Sequence, residues 1–397
     1  VIELILQRGR DRSVRRRHPW LLSGAVAAVR PAPGAAAEPG PGDWTRVISA
    51  EGEILGYGHY SPSSSIRVRF LHFGKEDPGD EQLLAERIAA AVARRTGDPL
   101  IRETDALRLV NSEGDGLPGL VADRYADTVV VKLSSAGMWA RRELVAEALR
   151  GATGAARGFE RADTTAARRE GCAARSGALW GDAPGAAVAI RERDRCFRVD
   201  VAAGQKTGFY LDQRDARDLA ALLAPGRRVL DLFCYTGGFA VAAARGGARA
   251  LTLVDSSASA LASARLHLEE NAPGLAAELR QGDAFQWLRG ESRRYDLIVL
   301  DPPPLARRRS DVPRATRATK DATLHALRCA APGALLLVFC CSHHLGPELF
   351  RKIVFGASLD AGRPLQVLRE LGAPADHPVS LDHPEGTYLK GLLLRAS

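Results

Sequence analysis

Apolar and polar positions alternate in short runs over the first 72 residues, in WTRVIS, EILGYGHY and SSIRVRFLHF, with Gly, Pro and Ser clusters between them. A period of two bounded by turn residues predicts strands, so residues 1–72 read as a small all-β module. PAPGAAAEPGPG (31–42) reads as a Pro/Gly loop inside it. From about 75 to 195 the period changes. Leu84, Ile88 and Val92 recur every four residues in EQLLAERIAAAVARR, which predicts an amphipathic helix. ALRLV, GLVADRY, DTVVVKL and AVAIRER return to strand, and the glycines of SEGDGLPG permit the positive φ of a tight turn between the first two. The region 75–195 is therefore α+β. From 196 to 397 strands and helices alternate: RRVLDLF, RALTLVD, YDLIVLD and ALLLVFC are apolar and lie farther apart than the dozen residues a parallel crossover needs. This third part reads as α/β, a doubly wound parallel sheet that takes ligands at the carboxyl ends of its strands.

Polar residues gather at those ends. RRVLDLFCYTGGFA places Asp231 at a strand end, then a turn in which Gly237 and Gly238 let backbone approach a ligand. A dinucleotide fold wants G-x-G-x-x-G for a pyrophosphate; here Phe233 and Tyr235 stand where small residues belong. The next strand ends in Asp255, 24 residues on, a position suited to two ribose hydroxyls. A third acid, Asp283, follows in RQGDAF. Singly, each acid also fits as the cap of the helix that follows, a role worth about 1 kcal/mol. Together they suit a cationic, ribose-bearing ligand, S-adenosylmethionine (SAM), ahead of an NAD cofactor.

YDLIVLDPPPL ends on Asp301 and a rigid proline wall, either a tight strand exit or a shelf that grips a flat nucleobase. The strand LLLVFCC stops at Cys340 and Cys341, with His343 and His344 one serine further on. Side chains alternate along a strand, so the two thiols point to opposite faces and do not chelate one tetrahedral ion; no metal is expected. One cysteine is then core and the other faces the crevice. A thiolate adding to C6 of a pyrimidine turns C5 into a nucleophile that accepts a methyl group. At about pH 7 a thiol of pKa ~8.5 is only ~3% ionised, a deficit near ~2 kcal/mol that nearby positive charge offsets. Asp301 is placed to hydrogen-bond or protonate the ring at N3. The histidines either assist or cap the next helix.

Length and composition add limits. A chain of 397 residues exceeds one hydrophobic core, and 46% hydrophobic with 26% charged residues is a globular composition. No apolar run is long enough to cross a bilayer, and VIELILQRGRDRS turns charged too soon for a signal peptide, so a cytoplasmic location is expected. Six cysteines without a C-x-x-C read as reduced thiols. The net charge of +8, mostly from arginine, supports a polyanionic partner, though coding bias explains it equally. In RGRDRSVRRRHPW, Arg17 and His18 can meet phosphates while Trp20 stacks on a base, or the segment is a solvated turn with Trp20 in the core.

At the level of whole motifs the sequence resembles the RlmI-like class I methyltransferases, bacterial enzymes that make 5-methylcytidine in 23S ribosomal RNA. RRRHPWLLSGAV and IRVRFL look like that family's PUA-type RNA-binding domain, and RLVNSEGDGLPGLVADRYADTVVV like its central α+β domain. AGQKTGFYLDQRDAR resembles the segment leading into the catalytic domain; DLFCYTGGFA, VDSSASAL, GDAF and DPPP resemble the SAM and acceptor motifs; CCSHH resembles S-C-S-H-H. The resemblance implies a Rossmann-like methyltransferase sheet behind a PUA-like and an α+β domain, with large-subunit ribosomal RNA as partner, no membrane, and a homodimer left open. It puts the nucleophile at Cys341, the first cysteine falling where the family has serine. It implies a SAM site around Asp231, Phe233, Tyr235, Gly237, Gly238, Asp255, Ser256, Asp283, Ala284 and Asp301, with Lys206, Thr207, Tyr210, Asp212 and Arg214 lining or covering it. The base rests on Pro302 and Pro303. Arg17 replaces a glycine usual before His-Pro-Trp, and Pro304 and Leu305 replace the usual pair after DPP. Relatives that methylate guanine N7 share GQKTG and DPP but lack the cysteine, which makes Cys341 the discriminating residue. The rival readings are an RNA N-methyltransferase and a SAM-binding RNA assembly factor without catalysis.

Overall fold

The structure, a computed structural model, describes residues 1–32, 38–185 and 187–397. Positions 33–37 of the expected Pro/Gly loop lie outside the described residues, as does 186. The chain gathers into two compact units: Val1–Ile190 with Val199–Phe209 and Ala375–Gly386, and Arg191–Arg198 with Tyr210–Pro374 and Thr387–Ser397. The all-β region and the α+β region up to Ile190 fall in the first.

In the first unit the N-terminal alternation becomes a six-stranded sheet, in the order Trp20–Leu22, Ile66–His72, Ile54–Tyr60, Trp44–Ile48, Ile2–Leu6, Val26–Pro31. Leu4, Leu21, Val47, Val68 and Phe70 close its core. IELIL and VAAVRP do not alternate clearly enough to be read as strands beforehand. The helix Asp80–Arg95 buries Leu84, Ile88 and Val92 against Leu120, Ala122, Val129 and Val131 of a five-stranded sheet. Each such aliphatic side chain removed from water contributes roughly 1.5–3 kcal/mol. SEGDGLPG forms the predicted turn, with Gly116 and Gly119 at φ of 68° and 90°.

The second unit is built on a seven-stranded sheet, ordered Ala277–Gln281, Ala250–Asp255, Arg228–Leu232, Tyr295–Leu300, Ala330–Cys340, Lys390–Ala396, Leu365–Leu371. Six strands are parallel, and Lys390–Ala396 runs antiparallel between the last two. The doubly wound parallel sheet of the sequence reading thus gains one antiparallel strand, because residues 372–389 hold only a short 3-10 turn, with no helix to make a crossover. Helices Val312–Arg328 and Pro347–Ala361 bury Ala322, Ala326, Phe350 and Ile353 against Leu336, Val338 and Ile298. Leu335, Leu337 and Phe339 are buried too, which accounts for the uninterrupted apolar run of a central strand covered on both faces. No helix among the described residues is long and apolar enough to cross a membrane.

Candidate active site

Parallel register aligns the strand ends of the second unit: Leu232 pairs with Val254 and with Leu300, and Leu300 with Val338. The turn after Arg228–Leu232 takes a left-handed backbone three times, at Phe233 (φ 60°), Tyr235 (φ 49°) and Gly237 (φ 78°). These are the positions at which the sequence suggested that small residues belong. Asp255 steadies the turn: one carboxylate oxygen accepts the Tyr235 N–H at 2.8 Å and the other the Ser257 N–H at 2.9 Å. A Cβ on Gly237 would stand 3.0 Å from that of Ala264, so the turn packs closely against the next helix.

Asp231 is buried. Its Oδ2 accepts the Ala240 N–H at 3.0 Å, and its Oδ1 has no hydrogen-bond partner among the described residues. Burial pushes this carboxyl well above the usual range, and the negative charges of Asp301 and Asp255 push it the same way. Three carboxyls thus share one electrostatic neighbourhood. Asp283 has a local duty: it caps the helix Ala284–Gly290 by accepting the Gln286 N–H at 2.9 Å. Ala284 is buried behind it and Ser256 is exposed.

On the acceptor side, Asp301 accepts a hydrogen bond from Gln213 Nε2 at 2.9 Å. Pro302 is buried, Pro303 exposed, and the Pro302 carbonyl accepts the Cys341 S–H at 3.5 Å. Ser342 Oγ accepts the Ala306 N–H at 3.2 Å, so the proline segment is clipped to the cysteine turn. Cys340 lies in the core at 5% exposure, whereas Cys341, one residue past the strand, is half-buried beside the prolines. Tyr210 stands edge-on to Tyr235, ring centroids 5.6 Å apart; burial raises its hydroxyl pKa, and Asp301, Cys341 and Asp212 add to the rise. Buried Asp212 accepts from Tyr388 Oη at 2.6 Å. Arg214 is buried with the Glu192 carboxylate among the charges it faces. His343 and His344 are exposed; the following helix, Pro347–Ala361, has Gly346 at its N-cap.

The remaining expected residues belong to the first unit. Thr207 is buried, donating to Asp123 Oδ2 at 2.5 Å and lying 2.8 Å from the Tyr125 hydroxyl, and Lys206 beside it has φ 53°. Trp20 is held inside its own fold: Nε1 donates to Glu113 at 2.8 Å, and the ring lies 4.6 Å from that of His383. His18 sits 3.5 Å from Glu385, and exposed Arg17 has φ 61°, the conformation a glycine adopts freely.

Sequence reasoning missed Gln213, Tyr388 and Lys390. It also missed Arg307, Arg308 and Arg309, exposed just after the prolines. A charge opening the otherwise apolar KGLLLRA was the available signal for Lys390.

This sheet order, with acids at successive strand ends, defines a class I SAM-dependent methyltransferase. An unpartnered buried carboxylate oxygen in an anionic crevice fits a cationic cofactor. The family model of the S-adenosylmethionine-dependent methyltransferases matches residues 152–395, and that of the PUA-like domain residues 4–73. Proteins named ribosomal RNA large subunit methyltransferase I from Aeromonas hydrophila subsp. hydrophila and Shewanella denitrificans are each 40% identical, over 398 and 402 residues and 99% of both chains. The chain belongs to their family. Among solved structures, SMU.776, a methyltransferase complexed with SAH, matches with a TM-score of 0.84 at 22% identity over 100% of both chains. A SAM-dependent methyltransferase from Streptococcus mutans matches with a TM-score of 0.81 at 22% identity, again over 100% of both chains.

Proposed function

We propose that this protein methylates C5 of a cytosine in 23S ribosomal RNA, with Cys341 as nucleophile. The carrying observation is that Cys341 Sγ lies 3.5 Å from the Pro302 carbonyl while Cys340 is consigned to the core. The name of its relatives, ribosomal RNA large subunit methyltransferase I, supports ribosomal RNA as the substrate. The Cys341 sulfur adds to C6, and the electron pair of the 5,6 double bond moves to C5. Asp301, oriented by Gln213, faces ring N3, where a shared proton makes C6 more electrophilic. When bound, SAM supplies an electrophilic methyl group on a sulfonium. Once C5 is methylated, its proton passes to solvent water, the C5–H electron pair restores the 5,6 double bond, the C6–S bond breaks with its pair going to the Cys341 thiolate, and N3 returns its proton to Asp301. Asp231 Oδ1 is the acceptor left for the cofactor's amino group, and the spare lone pairs of Asp255 are those for its ribose. Arg307, Arg308 and Arg309 meet the phosphates flanking the target base.

Cys341→Ser, incubated with ribosomal RNA and SAM, tests this reading through nucleoside analysis of the product. Production of 5-methylcytidine falls by at least about a thousandfold if the sulfur is the nucleophile. Normal C5 methylation eliminates it from that role, and a methylated purine in the wild-type product replaces the whole assignment.

A further inference from the structure

Lys390 opens the antiparallel strand and pairs in register with Cys340. It is 8% exposed, the one lysine among the described residues to be buried. Its Nζ donates to the Ser342 carbonyl at 2.8 Å, and no carboxylate among the described residues lies within ion-pairing distance. Burying an ammonium group without a counter-ion costs several kcal/mol. Accordingly burial draws this lysine below its ordinary range, and the groups that pull it back are the thiols of Cys340 and Cys341. A neutral donor would hold the Ser342 carbonyl equally well, so the hydrogen bond alone does not explain a charge here.

We infer that Lys390 is a positioning residue for the nucleophile: its ammonium group stabilises the Cys341 thiolate while its N–H fixes the turn that presents the sulfur. The inference rests on the reading of Cys341 given above. Of the groups that act on these sulfurs, Tyr210 and Asp301 do nothing to favour ionisation. The Tyr210 hydroxyl is coupled to Cys341, and Asp301 to Cys340. His343, two residues on, lies against Tyr388 with ring centroids 5.9 Å apart. Cys340 is held protonated by burial, which outweighs the opposing effect of Lys390. The benefit of the cation therefore falls to Cys341, the half-exposed partner.

The test measures iodoacetamide alkylation of the intact protein as a function of pH, followed at Cys341 by peptide mass spectrometry. Lys390→Gln keeps a donor for Ser342 but removes the charge; Lys390→Met removes both; Lys390→Arg keeps both. The expected result is a rise of about one unit or more in the midpoint for the Gln and Met variants, so that labelling near pH 7 slows roughly tenfold, with wild-type behaviour in Lys390→Arg. SAM binding, measured in parallel, reports that each variant is folded. An unchanged midpoint in Lys390→Gln with SAM binding retained overturns the inference, as does a shift confined to Cys340. Alkylation needs neither RNA nor methyl transfer. A missing shift thus condemns the role of Lys390 alone, whereas normal methylation by Cys341→Ser condemns the nucleophile alone.

Discussion

Replacing Arg307, Arg308 and Arg309 together by alanine removes three adjacent positive charges from the loop that follows the proline wall. All three side chains are exposed, and none makes an ion pair among the described residues. The local acid, Asp311, instead accepts the backbone N–H groups of Arg307 and Arg308, at 3.1 and 3.0 Å. Elsewhere in the same unit Arg289, Arg293 and Arg351 are neutralised by Asp321, Glu278 and Glu370. If each of the three meets one phosphate, the slope of log affinity against log salt shallows by about 0.7–0.9 per charge, about 2–3 in all. Raising salt fourfold, from about 50 to 200 mM, then narrows the affinity gap between wild type and variant by about 20- to 40-fold. Fluorescence anisotropy with a ribosomal RNA fragment over a salt series reads this directly, and kcat at saturating RNA should hold. Parallel salt plots for the two proteins refute the argument, since they mean that the arginines are only solvated.

Asp231 carries the second prediction. Its carboxyl is raised above the ordinary 3.8, so the free protein holds a proton there at pH values where the unfolded chain has lost it. Binding a cation against Asp231 releases that proton, so SAM affinity climbs with pH across the window above 3.8, by no more than about tenfold per unit, then levels off. Folding stability falls over the same window. Calorimetry in buffers of different ionisation heat detects the released proton, which Asp231→Asn abolishes; a pH-independent wild-type affinity contradicts the assignment. At Arg17, φ 61° disfavours any residue with a Cβ. Arg17→Gly should stabilise the first unit by up to about 1 kcal/mol after the greater freedom of unfolded glycine is counted. A lower denaturation midpoint for Arg17→Gly runs against that.

The sequence was readable where a residue's place rides on local pattern. Alternation set Cys340 and Cys341 on opposite sides, and the end of the strand did the rest: Cys340 is its last residue, in the core, and Cys341 lies just beyond it, half-buried. Asp231, Asp255 and Asp301 were legible for the same reason, each closing an apolar run. Asp283 shows the limit: a strand-end acid and a helix cap look alike in one dimension, and its Oδ1 does accept the Gln286 N–H of the helix that follows. Gln213 and Lys390 were illegible because their partners are remote. Gln213 reaches Asp301 across 88 positions and Lys390 reaches Ser342 across 48, with no periodicity to announce either meeting. Trp20 shows the opposite case: an aromatic among arginines fits a stacking role and a place in the fold equally well in one dimension, and its bond to Glu113 is a contact of the second kind.

The strained turn links these parts. A left-handed backbone costs a non-glycine residue roughly 1–2 kcal/mol, yet Phe233 and Tyr235 both adopt it beside Gly237. The same aromatic side chains that argue against a dinucleotide motif act as anchors. Phe233 packs edge-on against Phe285 at 5.0 Å, tying the turn to the helix that Asp283 caps. Tyr235 packs against Tyr210, whose hydroxyl in turn is coupled to Asp301 and Cys341. Glycine at either position would relax the backbone and release its anchor, leaving the turn free to move relative to the sulfur. The strain is thus the cost of holding the turn after Arg228–Leu232 in one fixed relation to Asp301 and Cys341, the relation that the proposed methyl transfer over a bond length requires.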